Sequence, residues 1–308
     1  MKTYKTLSYK SDCPTVCALG CFDGLHVGHA SIIRTAKKTA ESLFAKCAVW
    51  SFAEPPKNFF ASEKAPLLTT AEEKKKEMRR LGVDIFVSIP FDKNIAAMSA
   101  RDFFKTVIID SMNAKHVVCG FNYRFGKGGE GDCDLLDSLC REHGITLSIV
   151  SPVTIDGTTA SSTEIRAALL SGEPHRASLY LGRPYSLSAT IVSGQQLGRA
   201  LGFPTVNQSF PEGKLVPKNG VYVSRITFDK KVRYGVTNVG IRPTVGGTSL
   251  CAETNLFDFE GDLYGKTLTV EFLSFIRPEQ KFTSLEELTK QVNKDIAAAK
   301  EIIKNHSI

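Results

Sequence analysis

Near residue 184 the chain changes from alternating β and helical patterns to β patterns alone, and this limits the folds open to it. Before that point, β-rich runs at 15–20, 46–52, 83–89, 115–120 and 145–150 are separated by helix-like segments near 28–44, 70–81, 99–110 and 132–143. Ser99 suits the N-cap of the third helix and Gly144 the stop of the fourth. Near-continuous apolar strands divided by helices are the mark of a parallel sheet covered on both faces. Helices at 161–171, opened by a Ser/Thr cluster, and 174–181 close this half before Gly182-Arg183-Pro184 breaks the pattern. Beyond it, runs at 185–192, 220–228, 232–239, 250–259 and 267–275 are β-branched and aromatic, with Gly, Pro and Asp turns and no helix between them. Five or six such strands imply an antiparallel β-barrel. In the tail, 284–304, Leu285, Leu288, Val292, Ile296, Ala299 and Ile303 recur every three or four residues, as in one amphipathic helix packed on the barrel. The expectation is an α/β doubly wound, Rossmann-like domain over 1–182 and an antiparallel β-barrel with a C-terminal helix over 183–308.

A chain of 308 residues, 42% hydrophobic and 23% charged, can bury two modest cores. Its net charge of +7 is spread along the chain and suits phosphate-bearing small molecules as well as RNA, so it does not choose between them. No stretch approaches the roughly 18 apolar residues of a membrane span, and the start, MKTYKTLSYKSD, lacks the apolar core of a secretory signal. Eight cysteines are present; Cys17, Cys47 and Cys119 fall in strand-like runs, where a thiol acts as a small hydrophobe. Cys13, Cys17 and Cys21 lack a second close pair of the kind zinc uses. A reduced, cytoplasmic setting is expected.

The most informative stretch is Gly20-Cys21-Phe22-Asp23-Gly24-Leu25-His26-Val27-Gly28-His29, which follows the first strand and opens a helix. A glycine-bearing turn there lets backbone N–H groups approach phosphates, and the helix N-terminus favours negative charge. His26 and His29, three apart in the first turn, can stabilise charge on a phosphate under in-line attack. By themselves they could also be polar turn residues or a two-histidine metal site. In the second half, Gly198-Arg199-Ala200-Leu201-Gly202-Phe203-Pro204-Thr205-Val206-Asn207 puts a hydroxyl and an amide on one side of an extended segment after a glycine-rich turn. Such oxygens suit Mg²⁺ bridging ATP phosphates; the plain alternative is a loop entering a strand.

The first stretch resembles the HxGH turn of the nucleotidylyltransferase superfamily. In its fuller form, GxFDGxHxGH, it is similar to that of the prokaryotic bifunctional riboflavin kinase/FMN adenylyltransferases. Gly120-Phe121-Asn122-Tyr123-Arg124-Phe125-Gly126 resembles the family's flavin and nucleotide loop, and Ser161-Ser162-Thr163-Glu164-Ile165-Arg166 its SSTxIR motif. Pro204-Thr205-Val206-Asn207 resembles the kinase PTxN motif, and Glu253-Thr254-Asn255-Leu256-Phe257-Asp258-Phe259 the ETHxxDF segment. Further matches include the loops at 237–244, 262–266 and 277–282.

The resemblance implies a nucleotidylyltransferase domain in which His26 and His29 are catalytic. Gly20, Phe22, Asp23, Gly24, Gly28, Asn122, Ser162, Thr163 and Arg166 are then its ATP and FMN contacts. In the kinase domain it implies Glu253 as general base, with Gly198, Gly202, Pro204, Thr205, Asn207, Asn238, Arg242 and Arg277 around ATP and flavin. Thr205 and Asn207 are the implied Mg²⁺ ligands, and Mg²⁺ with ATP the implied cofactor. The partners are riboflavin, FMN, FAD and ATP, with no nucleic acid and no membrane, in a monomer or weak oligomer.

Departures concern Cys21, where Asn is common, and Asn255, where His is common. In Ser51-Phe52-Ala53-Glu54-Pro55-Pro56, Pro55 replaces a family histidine, and Glu164 stands where a basic residue is common. They motivate a rival, a riboflavin kinase whose adenylyltransferase half is weakened or inactive. An RNA-binding flavin or nucleotide sensor rests only on the charge, and another small-substrate nucleotidylyltransferase leaves the PTVN barrel unexplained.

Overall fold

The structure is a computed structural model that describes residues 1–192, 203–244, 247–259 and 261–306. It divides into two compact units, Met1–Ser162 and Thr163–Ile308.

The first unit is built on a six-stranded sheet of order β1-β4-β3-β2-β5-β6, parallel throughout. The strands are β1 (Lys2–Tyr4), β2 (Thr15–Leu19), β3 (Lys46–Phe52), β4 (Ile85–Ile89), β5 (Ala114–Gly120) and β6 (Thr146–Val150). The helices are α1 (Val27–Ser42), α2 (Lys57–Phe60), α3 (Ala71–Arg80), α4 (Lys93–Ala97), α5 (Ala100–Phe103) and α6 (Cys133–Glu142). A hairpin, β7 (Thr154–Ile155) and β8 (Thr158–Thr159), follows β6. Alternate residues of the inner strands enter two separate cores. Cys17, Leu19, Ala48, Trp50 and Val87 join Phe103, Phe104 and Leu136. Val16, Ala18, Cys47, Val49 and Phe86 join Ile33, Ala36 and Met78. Burial on both faces is why these runs carry no polar alternation.

The expected helix at 99–110 starts as anticipated, with the Ser99 hydroxyl accepting the Asp102 N–H at 3.1 Å. It then widens into a π-helical stretch, Phe104–Ser111. The edge strand β1 has no counterpart in the sequence reading, because three residues are too few to show a period.

Among the described residues, the second unit contains α7 (Ser162–Ser171, which begins at the boundary), α8 (Pro174–Leu181), six strands and α9 (Leu285–His306). The strands are β9 (Tyr185–Thr190), β10 (Thr205–Ser209), β11 (Gly220–Phe228), β12 (Lys231–Thr244), β13 (Gly247–Leu256) and β14 (Thr267–Arg277). They form an antiparallel sheet of order β10-β13-β12-β11-β14-β9. The sheet curls until its ends meet. The Val192 N–H donates to Asn207 O at 2.9 Å, and Gln208 Nε2 donates to Ala189 O at 2.6 Å and Leu268 O at 2.9 Å. Tyr222, Val270 and Phe272 are buried, and a hydroxyl chain joins Ser224, Thr237 and Thr254. Ala299 of α9 packs with Val223 and Leu273, flanked by Tyr234, Val236 and Ile303.

The sequence reading divides the chain after residue 182, whereas by packing α7 and α8 group with the curled sheet. The Lys218 N–H donates to Leu169 O at 3.0 Å, and Gly172 lies against Lys218 and Phe275. A helical period shows where a helix ends but not which core receives its apolar face.

Candidate active sites

Between β2 and α1 the chain makes a constrained turn in which Phe22 (φ 54°), Gly24 (φ 78°) and Leu25 (φ 43°) take left-handed backbone. For Phe22 and Leu25 this costs roughly 1–3 kcal/mol each. The surroundings enforce it. Both side chains are buried, and the buried Asp23 carboxylate accepts the Leu68 N–H at 3.0 Å and the Thr69 N–H at 3.3 Å. Thr69 Oγ1 in turn accepts the Gly24 N–H, and Ser162 Oγ donates to Asp23 O at 2.9 Å.

His26 is the N-cap of α1, its Nδ1 accepting the His29 N–H at 3.3 Å. That bond leaves Nε2 to carry the ring proton and act as donor. The two imidazoles stack, with centroids 3.6 Å apart and planes at 24°, and Phe22 meets His29 edge-on at 5.2 Å. A Cβ on Gly28 would sit 3.1 Å from His26 Cε1, so the intervening glycine leaves room for the ring. His29 Nδ1 is buried without a hydrogen-bond partner. Burial, then the charges of His26 and Lys74, hold the His29 imidazole well below its ordinary protonation range. It is therefore neutral near pH 7, able to donate one hydrogen bond without bringing a charge.

This turn lines a cavity of about 680 Å³, in the range of small-molecule sites. Gly20, His26, Gly28, His29, Asn122 and Ser161 contribute polar groups to its wall. Phe52, Phe60, Phe91, Phe103, Tyr123 and Phe125 contribute rings. Phe91 meets Phe52, Phe59 and Phe60 edge-on at 5.0, 5.5 and 5.9 Å. The sequence reading placed Tyr123 and Phe125 in the flavin and nucleotide loop but gave no role to Phe52, Phe60, Phe91 and Phe103; the available signal was the Phe59-Phe60 pair in an otherwise polar stretch. Phe22, Asp23, Gly24 and Ser162 are not in the wall but hold the turn. Thr163 and Arg166 lie on α7, which packs with the second unit. Pro55 is buried, and Lys57, next to Pro56, reaches the wall.

In the second unit, strand register brings scattered residues into line. Asn207 pairs with Glu253, Glu253 with Asn238, Asn238 with Val221, and Val221 with Arg277. Directly paired residues share a face, so Asn207, Glu253 and Asn238 project on the same side. Thr205 stands opposite Asn255, whose Nδ2 donates to Pro204 O at 3.0 Å. Asn255 thus steadies the PTVN segment. Asn238 Nδ2 also meets Glu279 Oε1 at 3.4 Å, a neighbour the sequence reading left without a role.

Arg277 is spent differently from the flavin contact expected of it. It forms a two-pronged pair with buried Asp295 of α9, Nε to Oδ1 at 2.9 Å and Nη2 to Oδ2 at 2.7 Å. Gln291 also donates to Asp295, and Phe282 stacks under the guanidinium at 5.8 Å. Arg242 lies on β12 opposite Ser249. Gly198 and Gly202 fall outside the described residues. Among the described residues no cluster of three His, Cys, Asp or Glu side chains could hold a metal, and all eight cysteines are free.

Family models describing FAD synthetase and riboflavin kinase match residues 8–164 and 181–303. A bifunctional riboflavin kinase/FMN adenylyltransferase from Pseudomonas fluorescens is 35% identical over 286 residues, 92% of this chain and 92% of that protein. The chain belongs to the bifunctional riboflavin kinase/FMN adenylyltransferase family. The member from Bacillus subtilis (strain 168) is 35% identical over 287 residues, 91% of this chain and 90% of its own. A crystal structure described as a macrolide-efflux protein from Streptococcus pneumoniae superposes with a TM-score of 0.89 at 30% identity, covering 97% of this chain and 99% of that one. Among the described residues here, no helix is long and apolar enough to cross a membrane. Both halves of the family are represented, which supports the bifunctional reading over a kinase with an inactive first half.

Proposed function

We propose that the chain makes FAD from riboflavin in two successive transfers from Mg-ATP. In the first, the riboflavin 5′-hydroxyl attacks the γ-phosphorus of ATP, Glu253 takes its proton, and ADP leaves. Thr205 and Asn207 supply hard side-chain oxygens beside Glu253, a donor set that suits the Mg²⁺ carried in with ATP. In the second, a phosphate oxygen of FMN attacks the α-phosphorus of ATP and pyrophosphate leaves. The phosphate is already a nucleophile, so no side chain needs to be one. His26 Nε2–H and neutral His29 stabilise charge on the oxygens of the transferred group.

The observation that carries this reading is the pair of stacked imidazoles at a helix N-terminus, in the wall of a cavity that also presents aromatic rings. Polar donors at the turn suit triphosphate, and rings suit a planar isoalloxazine. We assign the enzyme to a reducing cytoplasm, acting on small molecules rather than nucleic acid, as a monomer or weak oligomer.

The test is a product assay with riboflavin and Mg-ATP. His29→Ala should stop at FMN. Glu253→Ala should make no FMN yet still convert supplied FMN to FAD. Folded variants that each lost both activities would refute the two-site assignment, and a wild-type enzyme that accumulated FMN alone would refute adenylyl transfer.

A further inference from the structure

Helix α3 has two buried residues, Met78 and, one turn earlier, Lys74. A lysine on that face is costly. It desolvates an ammonium in the N-terminal half of a helix, where the dipole opposes positive charge. An apolar residue would pack there without either cost. The ammonium is instead satisfied by three oxygens: Cys21 O at 2.7 Å, Phe52 O at 3.0 Å and Ser51 Oγ at 3.3 Å. Ser51 Oγ sits in the same network, 2.9 Å from Cys21 O and 3.1 Å from Phe52 O. Cys21 belongs to the turn that presents the histidines, while Ser51 and Phe52 end the neighbouring strand β3. A second tether runs in parallel, since Asp23 holds Leu68 and Thr69 just before the capping box of Thr70 and Glu73 that starts α3.

We propose that Lys74 is a positioning residue for adenylyl transfer: its ammonium pins the Cys21 carbonyl to the end of β3 and so sets the backbone of the turn that carries His26 and His29. The inference rests on the assignment of adenylyl transfer to the first unit. Lys74 does not itself touch substrate, because an ammonium has three donors and all three are used. A second consequence is electrostatic. The ionisable groups that face His29 are His26 from the turn and Lys74 from α3, and those that face Lys74 are Cys21 and Asp23. Burial does most to keep His29 unprotonated, and the Lys74 ammonium adds to it, so His29 stays the neutral donor the reaction uses.

The test compares full-length wild type with Lys74→Met, which keeps much of the stem but loses the charge and the three bonds, and with Lys74→Arg. FAD formation from FMN and Mg-ATP is followed from about pH 5 to pH 8, the range over which histidine titrates. FMN formation from riboflavin and thermal unfolding serve as controls for folding. Lys74→Met should lower kcat for FAD formation about 100-fold, the effect of a displaced catalytic group, with a smaller change in KM. Its acid limb should move to higher pH, and Lys74→Arg should recover most of the rate and return the limb. A Lys74→Met enzyme with the wild-type kcat and acid limb overturns the proposal. Should Lys74→Met not fold, the wild-type His29 imidazole is titrated by NMR. The same titration is made on Lys74→Arg and Lys74→Gln: a Lys74→Gln enzyme with the wild-type kcat and the wild-type His29 titration overturns the proposal, and a lowered kcat with His29 protonated at higher pH than in wild type and Lys74→Arg upholds it. A wild-type enzyme that makes FMN but no FAD defeats the adenylyl-transfer reading itself and the inference with it.

Discussion

The imidazole of His26 caps the helix that carries His29: its Nδ1 accepts the His29 N–H at 3.3 Å while the two rings stack at 3.6 Å. One side chain therefore has an architectural function beside the chemical one proposed for it, and substitution can separate them. Asparagine is a good N-cap but places no donor where Nε2–H lies. His26→Asn should remain folded while FAD formation falls about 100-fold or more. His26→Ala should lose, in addition, about 1 kcal/mol of stability. Product assays paired with thermal unfolding distinguish the two.

Protonation of His29 gives a stability signature of known sign. Its native pKa lies well below 6.5, so between that value and 6.5 the unfolded chain binds a proton that the native state does not. Stability therefore rises with pH through this window and declines as pH falls below about 6.5. His116 acts in the same direction: burial lowers its pKa, and its ring nitrogens lie 2.6 Å from Thr146 Oγ1 and 2.9 Å from Ser148 Oγ. Thermal unfolding measured between about pH 5 and 8 should show the decline, and His29→Gln should make it shallower, leaving the part due to His116.

Glu253 stands between Asn207 and Asn238 in register, on the side of the sheet that Asn207 presents. Glu253→Gln keeps size and hydrogen bonding while removing the proposed base. Riboflavin phosphorylation should fall about 100- to 10,000-fold, with conversion of supplied FMN to FAD unchanged. Separate assays of the two steps on one preparation check this. Equal loss of both steps would contradict it.

Arg277, partly buried, and buried Asp295 form a pair that joins β14 to α9. Removing only the arginine leaves a buried carboxylate uncompensated, at a cost of about 3–5 kcal/mol. Arg277→Met should therefore lower the unfolding temperature sharply. Assayed below that temperature, its KM for riboflavin should match wild type. A raised KM in a stable variant would return Arg277 to the flavin site.

Much of this molecule was legible in the sequence because the signals are local. The doubly wound half followed from apolar strands with no alternation, and α9 from its helical period. The histidine turn followed from glycines and donors at a strand-to-helix junction. The reading was weakest where a residue type is compatible with two tasks. Asp23 was counted as a ligand contact, yet its carboxylate closes a turn on two backbone N–H groups. Arg277 was placed beside flavin, yet its guanidinium is committed to Asp295. A carboxylate or guanidinium looks the same in sequence whether it serves substrate or scaffold.

The sequence by itself determined the element types, the two-part architecture and the make-up of the histidine turn, because hydrophobic period and turn chemistry act over a few residues. Tertiary structure decided which distant residues meet. Register across five strands put Asn207, Glu253, Asn238, Val221 and Arg277 in one row. Packing assigned α7 and α8 to the second core. The fold also carried Lys74, one lysine in a run of three, into the interior behind the histidine turn while Lys75 and Lys76 stayed nearer solvent. Nothing local distinguishes these three lysines. Only the direction each takes from α3, and the carbonyls waiting there, sets Lys74 apart.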